Sequence, residues 1–129
     1  MTKNKGSFYT SWTDENGIAH VEYDPDTDID MEKAEEIVSY GRQKYPDIRF
    51  YILNDLRNLR SISAEALEYI ATGPVAKIKG AEAFVITNLS NRMLINFYLN
   101  KNPDVITQKF HSVAEAREWL LAEKQKAGD

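Results

Sequence analysis

The residues best placed to do chemistry form two polar clusters, each behind an apolar run and ahead of a helix signal. The first is Asn54, Asp55, Arg57, Arg60, Ser61 and Ser63, following the stretch 48–53. The second is Asn88, Ser90, Asn91 and Arg92, following 81–87. A helix N-terminus offers unpaired N–H groups and the positive end of the helix dipole, both favourable to an anion. Arg57, Arg60 or Arg92 would add a planar fork for a phosphate or a carboxylate. Strand-end loops are also polar simply because their backbone must be hydrogen-bonded, and Ser63 and Ser90 would then be plain helix caps. Neither cluster carries the glycines of a phosphate cradle, which favours this plainer role.

Other constellations are weaker. Asp24, Asp26, Asp28, Asp30 and Glu35 fall at the first, third, fifth, seventh and twelfth positions of a calcium loop. The position that needs glycine is Ile29, however, and a branched residue is strongly disfavoured at positive φ. These acids suit the positive end of the helix that follows, and no metal or cofactor is expected. His20 and His111 lie far apart without metal-ligand spacing, so both are read as structural. No serine sits in a Gly-x-Ser-x-Gly elbow. Asp55 and Glu65 could be paired carboxylates, yet no nucleophile has an identifiable base beside it. No catalytic residue is assigned, and the chain is expected not to be an enzyme.

The elements that must position these residues follow from periodicity. Segments 7–12 and 18–23 alternate and are rich in aromatic and branched side chains, so a β-hairpin opens the fold, with Asn16-Gly17 supplying positive φ at the reversal. Met31, Ala34, Ile37, Val38, Gly41 and Tyr45 share one face of a helix capped by Asp30 and stopped by Pro46. Segments 48–53 and 81–87 are nearly continuous apolar runs, the pattern of strands covered on both faces. Ser63 caps a second helix, with Ile62 and Leu67 as a hydrophobic staple. Residues 74–79 allow one more turn. Ser90 caps a third helix bearing Met93, Leu94, Phe97 and Tyr98. A strand over 105–110 precedes a last helix that starts at the Ser112–Glu115 capping box and buries Val113, Ala116, Trp119 and Leu120.

The order ββαβαβαβα predicts a single α/β domain with a mostly parallel mixed sheet of about five strands and an antiparallel hairpin at its start. The chain has 129 residues, 43% of them apolar and 28% charged, which suits one core and one domain spanning 1–129. Ordered structure is expected over 7–121, with 122–129 fraying. There is no cysteine, so disulfides and thiolate chemistry are excluded. A net charge of −4 argues against nucleic-acid binding. No apolar run suits a secretory signal or a membrane span, so the expected location is the cytoplasm.

The stretch from Tyr51 to Leu67 resembles the central segment of STAS domains, the anti-sigma-factor antagonists and the cytoplasmic modules of sulfate transporters. Asp55-Leu56, Leu59, Ile62 and Leu67 stand at the matching positions. The run from Phe110-His111-Ser112 through Ala116 to Trp119-Leu120 is similar to the ending of bacterial STAS-like proteins related to CRAL-TRIO lipid-transfer domains. Where the antagonists carry Asp-Ser-Ser-Gly this chain has Ser63-Ala64-Glu65-Ala66, so the phosphorylatable serine falls at Glu65 or Ala64. Ser61 and Ser63 are displaced candidates for that modification. The resemblance implies a STAS-like fold and a non-catalytic regulatory module that binds a protein through the helix at 63–72 and its preceding loop. A small carrier of an apolar or anionic ligand is the alternative. Phe8, Tyr9 and Trp12 on an exposed hairpin edge could pair with a second copy in a homodimer.

Overall fold

The computed structural model describes residues 2–45, 50–73, 79–87, 92, 95–96 and 106–128. At the N-terminus, alternating side chains set up β1 (Asn4–Lys5), β2 (Tyr9–Thr13) and β3 (Ile18–Tyr23), antiparallel in that order. The β2–β3 reversal is closed by Gly17 N donating to Asp14 O at 3.0 Å and Asp14 N donating to Ile18 O at 2.9 Å. Gly17 alone carries the left-handed position, at φ 81°, whereas Asn16 keeps a negative φ. The loop is therefore a three-residue turn with one glycine, not a two-residue Asn-Gly reversal.

Beyond β3 the strands become parallel. β4 (Thr27–Ile29) leads into α1 (Met31–Lys44), then β5 (Phe50–Asp55), β6 (Leu59–Ile62), α2 (Ala64–Thr72), β7 (Lys79–Val85), β8 (Ile106–Phe110) and α3 (Val113–Lys126). The main sheet has the order β1-β2-β3-β5-β7-β8, and β4 and β6 form a separate two-stranded parallel ribbon. β5 and β7 are neighbours, with Asp55 opposite Val85, so both end at the same edge of the sheet. The mixed, mostly parallel α/β architecture and its opening hairpin agree with expectation.

Each helix starts where a side chain satisfies an otherwise unpaired N–H group. Asp30 accepts from Lys33 N, Ser63 from Ala66 N and Ser112 from Glu115 N. α1 and α2 cover one face of the sheet, where Val21, Tyr23, Leu56, Leu67 and Phe84 pack in one core cluster. α3 covers the other face, burying Ala116 and Leu120 against Ile18, Tyr51, Leu53, Ala83 and Val85. This two-sided cover explains why 48–53 and 81–87 read as nearly continuous apolar runs.

Several expectations are corrected. Of the aromatics expected on an exposed hairpin edge, Phe8 and Tyr9 are buried, and β1 pairs with β2 at Thr10 and Ser11, while Trp12 is half-buried beyond that register. The strand expected over 48–53 runs to Asp55, the loop before α1 contains β4, and the loop between β5 and α2 contains β6. α3 continues to Lys126 in the region expected to fray, and Lys124 Nζ reaches Asn16 O at 3.2 Å. Of the turn expected over 74–79, Lys79 instead opens β7 and the rest lies outside the described residues, as does the third helix apart from the helical backbone of Arg92, Ile95 and Asn96.

Asp14 ties the hairpin to α3. Its Oδ1 accepts from Asn16 N at 2.9 Å and Ile18 N at 3.1 Å, and its Oδ2 accepts from His20 Nε2 and Arg117 Nε, both at 2.8 Å. Burial alone would raise this carboxyl, but the donors from His20, Arg117, Ile18 and Asn16 outweigh it and hold the pKa at about 2. A folded-state value below the ordinary 3.8 means the stabilisation is present above that pH and is lost as pH falls from 3.8 through about 2. The gap corresponds to about 2 kcal/mol. Urea titrations at neutral and strongly acid pH should show the wild type losing about 2 kcal/mol more than Asp14→Asn across that interval. Equal losses in the two proteins would mean that Asp14 is not held in this way.

Candidate functional site

Asp55 closes β5 and points to the α3 side of the sheet, while Asn54 before it points to the α1 side, as alternation along a strand requires. Arg57 folds back onto Asp55, donating from Nε at 2.9 Å and from Nη2 at 2.7 Å, and its backbone N also reaches Asp55 Oδ1 at 3.2 Å. This fork raises the Arg57 pKa and commits the guanidinium to a partner inside the chain. With Trp12, His20, Glu22, Leu53 and Val113, the pair lines a cleft of about 80 Å³ at the carboxyl ends of β3 and β5. Trp12 stacks on His20 at 4.9 Å between ring centroids, and Lys3 Nζ lies 4.3 Å from the Trp12 ring.

Arg60 and Ser61 belong to a second place. Both lie on β6, opposite β4, where Asp28 pairs in register with Ser61. Arg60 Nε and Ser61 Oγ donate to Asp28 Oδ1 at 3.0 and 2.6 Å, and Arg60 Nη2 donates to Oδ2. These donors, Arg60 first, hold the Asp28 carboxyl well below the usual carboxylate range. Ser63 N continues the ladder to Ile29 O at 3.0 Å, and Ser63 Oγ accepts from Ala66 N at 3.1 Å as the cap of α2. Glu65 stands in the first turn of α2, exposed like Arg60, Ser61 and Ser63.

The first polar cluster therefore divides, Asp55 and Arg57 opening towards α3 and Arg60, Ser61, Ser63 and Glu65 surrounding the start of α2. Asn88 and Ser90 lie outside the described residues, and Arg92 is half-buried in helical backbone. The calcium-like acids also disperse: Asp24 pairs with Lys5 at 2.9 Å, Asp28 with Arg60, and Asp30 caps α1. Among the described residues no group of three or more histidines or acids is arranged to hold a metal ion, and no helix is long and apolar enough to cross a membrane.

A third feature escaped sequence reasoning. Between α1, α2 and the sheet lies a mostly apolar cavity of about 50 Å³. On its wall, Tyr23 Oη donates to Asn54 Oδ1 at 3.2 Å, and Asn54 Nδ2 donates to Glu82 Oε2. Glu82 is 0% exposed. Burial, with the Glu82 charge as a smaller contribution, pushes the Tyr23 hydroxyl pKa up. The available signal was a lone acid inside an otherwise apolar strand run, Ala81-Glu82-Ala83-Phe84.

Comparison with known proteins agrees with this architecture. Residues 11–124 match the model of a family described as Domain of unknown function (DUF7793). The chain belongs to the DUF7793 family. Among solved structures, the DUF7793 domain is similar to an uncharacterised protein of the DUF3478 family from Shewanella loihica PV-4, described as having a SpoIIAA-like fold. That likeness has a TM-score of 0.62 at 13% identity and covers 92% of this chain and 90% of the other. It establishes the STAS-like fold expected from Tyr51–Leu67. No curated protein matches the DUF7793 chain.

The two exposed serines should separate in a stability assay. Ser63→Ala removes the α2 cap and should cost about 1 kcal/mol by urea denaturation. Ser61→Ala, on the exposed ribbon, should stay within about 0.5 kcal/mol of wild type. The reverse order would contradict the capping geometry.

Proposed function

We propose that this domain is a non-catalytic regulatory module of the cytoplasm that binds another protein through the β6–α2 corner. The observation that carries this reading is the exposed set Arg60, Ser61, Ser63 and Glu65, displayed on a strand and a capped helix. Rigid elements hold a recognition surface with little ordering cost on association. Arg60 and Glu65 place opposite charges within one short segment, a pattern that favours orientation and partner choice over raw affinity. The resemblance of Tyr51–Leu67 to anti-sigma-factor antagonists points to the same corner. With Glu65 or Ala64 at the serine position, partner choice does not depend on phosphate there.

The test is site-specific photo-crosslinking in the source cell, with the reactive residue placed at Arg60 or Glu65 and, as control, at Glu118 on α3. One defined adduct from both corner positions and none from Glu118 is expected. Arg60→Gln and Glu65→Gln should each weaken capture of that partner at least about tenfold, while lowering the melting temperature by no more than a few degrees through loss of the exposed Asp28 pair and of the acid at the start of α2. No adduct from the corner, or equal adducts from α3, would end this reading.

A further inference from the structure

The two edges of the main sheet are protected unequally. At one edge β1 is two residues long and carries Lys5, a short charged edge that discourages pairing with another chain. At the other, β8 runs for five residues, Ile106-Thr107-Gln108-Lys109-Phe110, with no proline and no break in its register with β7. Its single charge, Lys109 Nζ, is taken up by Asn96 Oδ1. Among the described residues no strand lies along the outer side of β8. Ile106 is 48% exposed, the one large apolar side chain so exposed among the described residues.

The direction of the backbone groups follows from register. Ile86 N donates to Phe110 O at 3.0 Å, so the backbone of Phe110 faces β7. Alternation then turns the N–H and C=O of Gln108 and Ile106 to β7 as well, and those of Thr107 and Lys109 outward. Lys109 N meets only the side chain beside it, Gln108 Oε1 at 3.1 Å, a local stand-in for a neighbouring strand. Among the described residues the outward N–H and C=O of Thr107 have no hydrogen-bond partner. Side chains alternate too. Phe110 packs on Trp119 of α3 at 5.6 Å between ring centroids, which sets Gln108 and Ile106 on the α3 face and Thr107 and Lys109 on the other.

We propose that β8 pairs antiparallel with β8 of a second copy about a two-fold axis at Gln108, joining two sheets into one. Such a contact is self-complementary by symmetry. In this register Thr107 of each copy exchanges both N–H···O bonds with Lys109 of the other, so the outward groups of both strands are satisfied together. Ile106 stands opposite the other copy's Phe110 at the close, non-hydrogen-bonded spacing, which covers its exposed surface. Moving the axis to Lys109 would set two lysines opposite each other, which is destabilising, and moving it to Thr107 would set Ile106 against Gln108. A second copy is the occupant because the edge matches itself pair by pair: apolar to apolar, hydroxyl to ammonium, amide to amide. The contact is one short strand with its flanking side chains, below the roughly 1,200 Å² of a standard interface, so the dimer is a weak one. β8 is separate from the β6–α2 corner, and the two readings stand or fall independently.

Sedimentation velocity of the full chain from about 10 µM to about 1 mM tests the pairing, with a dissociation constant below about 500 µM expected. Thr107→Pro removes an outward N–H without touching the β7 ladder, and Ile106→Lys puts a charge on the seam. Each should raise that constant at least about tenfold, while Lys3→Glu, beside the opposite edge, should leave it unchanged. The chain has no cysteine, so a single introduced thiol reads the register. Gln108→Cys faces its own copy at bridging distance and Ile106→Cys does not. Mild oxidation should therefore link Gln108→Cys into dimers at least about tenfold faster. A chain that stays monomeric at about 1 mM overturns the proposal, even if its edge captures a strand of another protein. So do undiminished dimers of folded Thr107→Pro and Ile106→Lys, or equal linking rates in the two cysteine variants. Should Thr107→Pro fail to fold, Ile106→Lys and the two cysteine variants decide the matter alone.

Discussion

The carboxylate of Asp14 is the point on which the architecture turns. A parallel sheet needs cover on both faces, and in this chain the cover of the second face arrives last, as α3. Asp14 gathers donors from its own turn, from His20 within β3 and from Arg117 on α3. One anion thus sets the hairpin turn, fixes the imidazole that stacks on Trp12, and draws α3 across the sheet. A buried carboxylate with that many donors is held in place, because removal of any one leaves charge without compensation. Glu15 and Asn16 reinforce the contact, receiving Arg117 Nη2 at 3.2 and 2.6 Å.

The sheet then sorts chemistry by face. Alternation sends Asn54 and Glu82 under α1 and α2, and Asp55 towards α3. After Leu56 the chain rejoins the first face, where Leu59 and Ile62 enter the core cluster that holds Leu67. This crossing splits the polar run 54–63 into an internal Asp55–Arg57 clasp and an exposed corner on Asp28. What looks like one cluster along the chain is two places in space, with different neighbours and different access to solvent.

Much of the fold was legible because it rests on local chemistry. The caps Asp30, Ser63 and Ser112 announce helices by side-chain type, and the nearly continuous apolar runs around 50 and 84 announce strands buried on both faces. β4 and β6 were not legible: each is three or four residues long, lies in polar surroundings, and exists because it pairs with the other across 32 residues at Asp28 and Arg60. Phe8 and Tyr9 were misjudged as exposed because their burial depends on packing that the alternation of a strand does not reveal. Of the candidate site, the residue types were readable but their grouping was not. Asp14 and Arg117 stand 103 residues apart.

The clamp from α3 onto the first hairpin has a bearing on how the chain is made. During synthesis the hairpin leaves the ribosome well before Arg117 and Lys124, the residues that clamp it. Contacts of such long sequence separation form late, since loop closure must precede the gain. Until α3 follows, the α3-facing side of the sheet, with Ile18, Tyr51 and Leu53, is uncovered. The nascent chain therefore presents an apolar, strand-rich surface until α3 has emerged, the state in which a chaperone has most to hold.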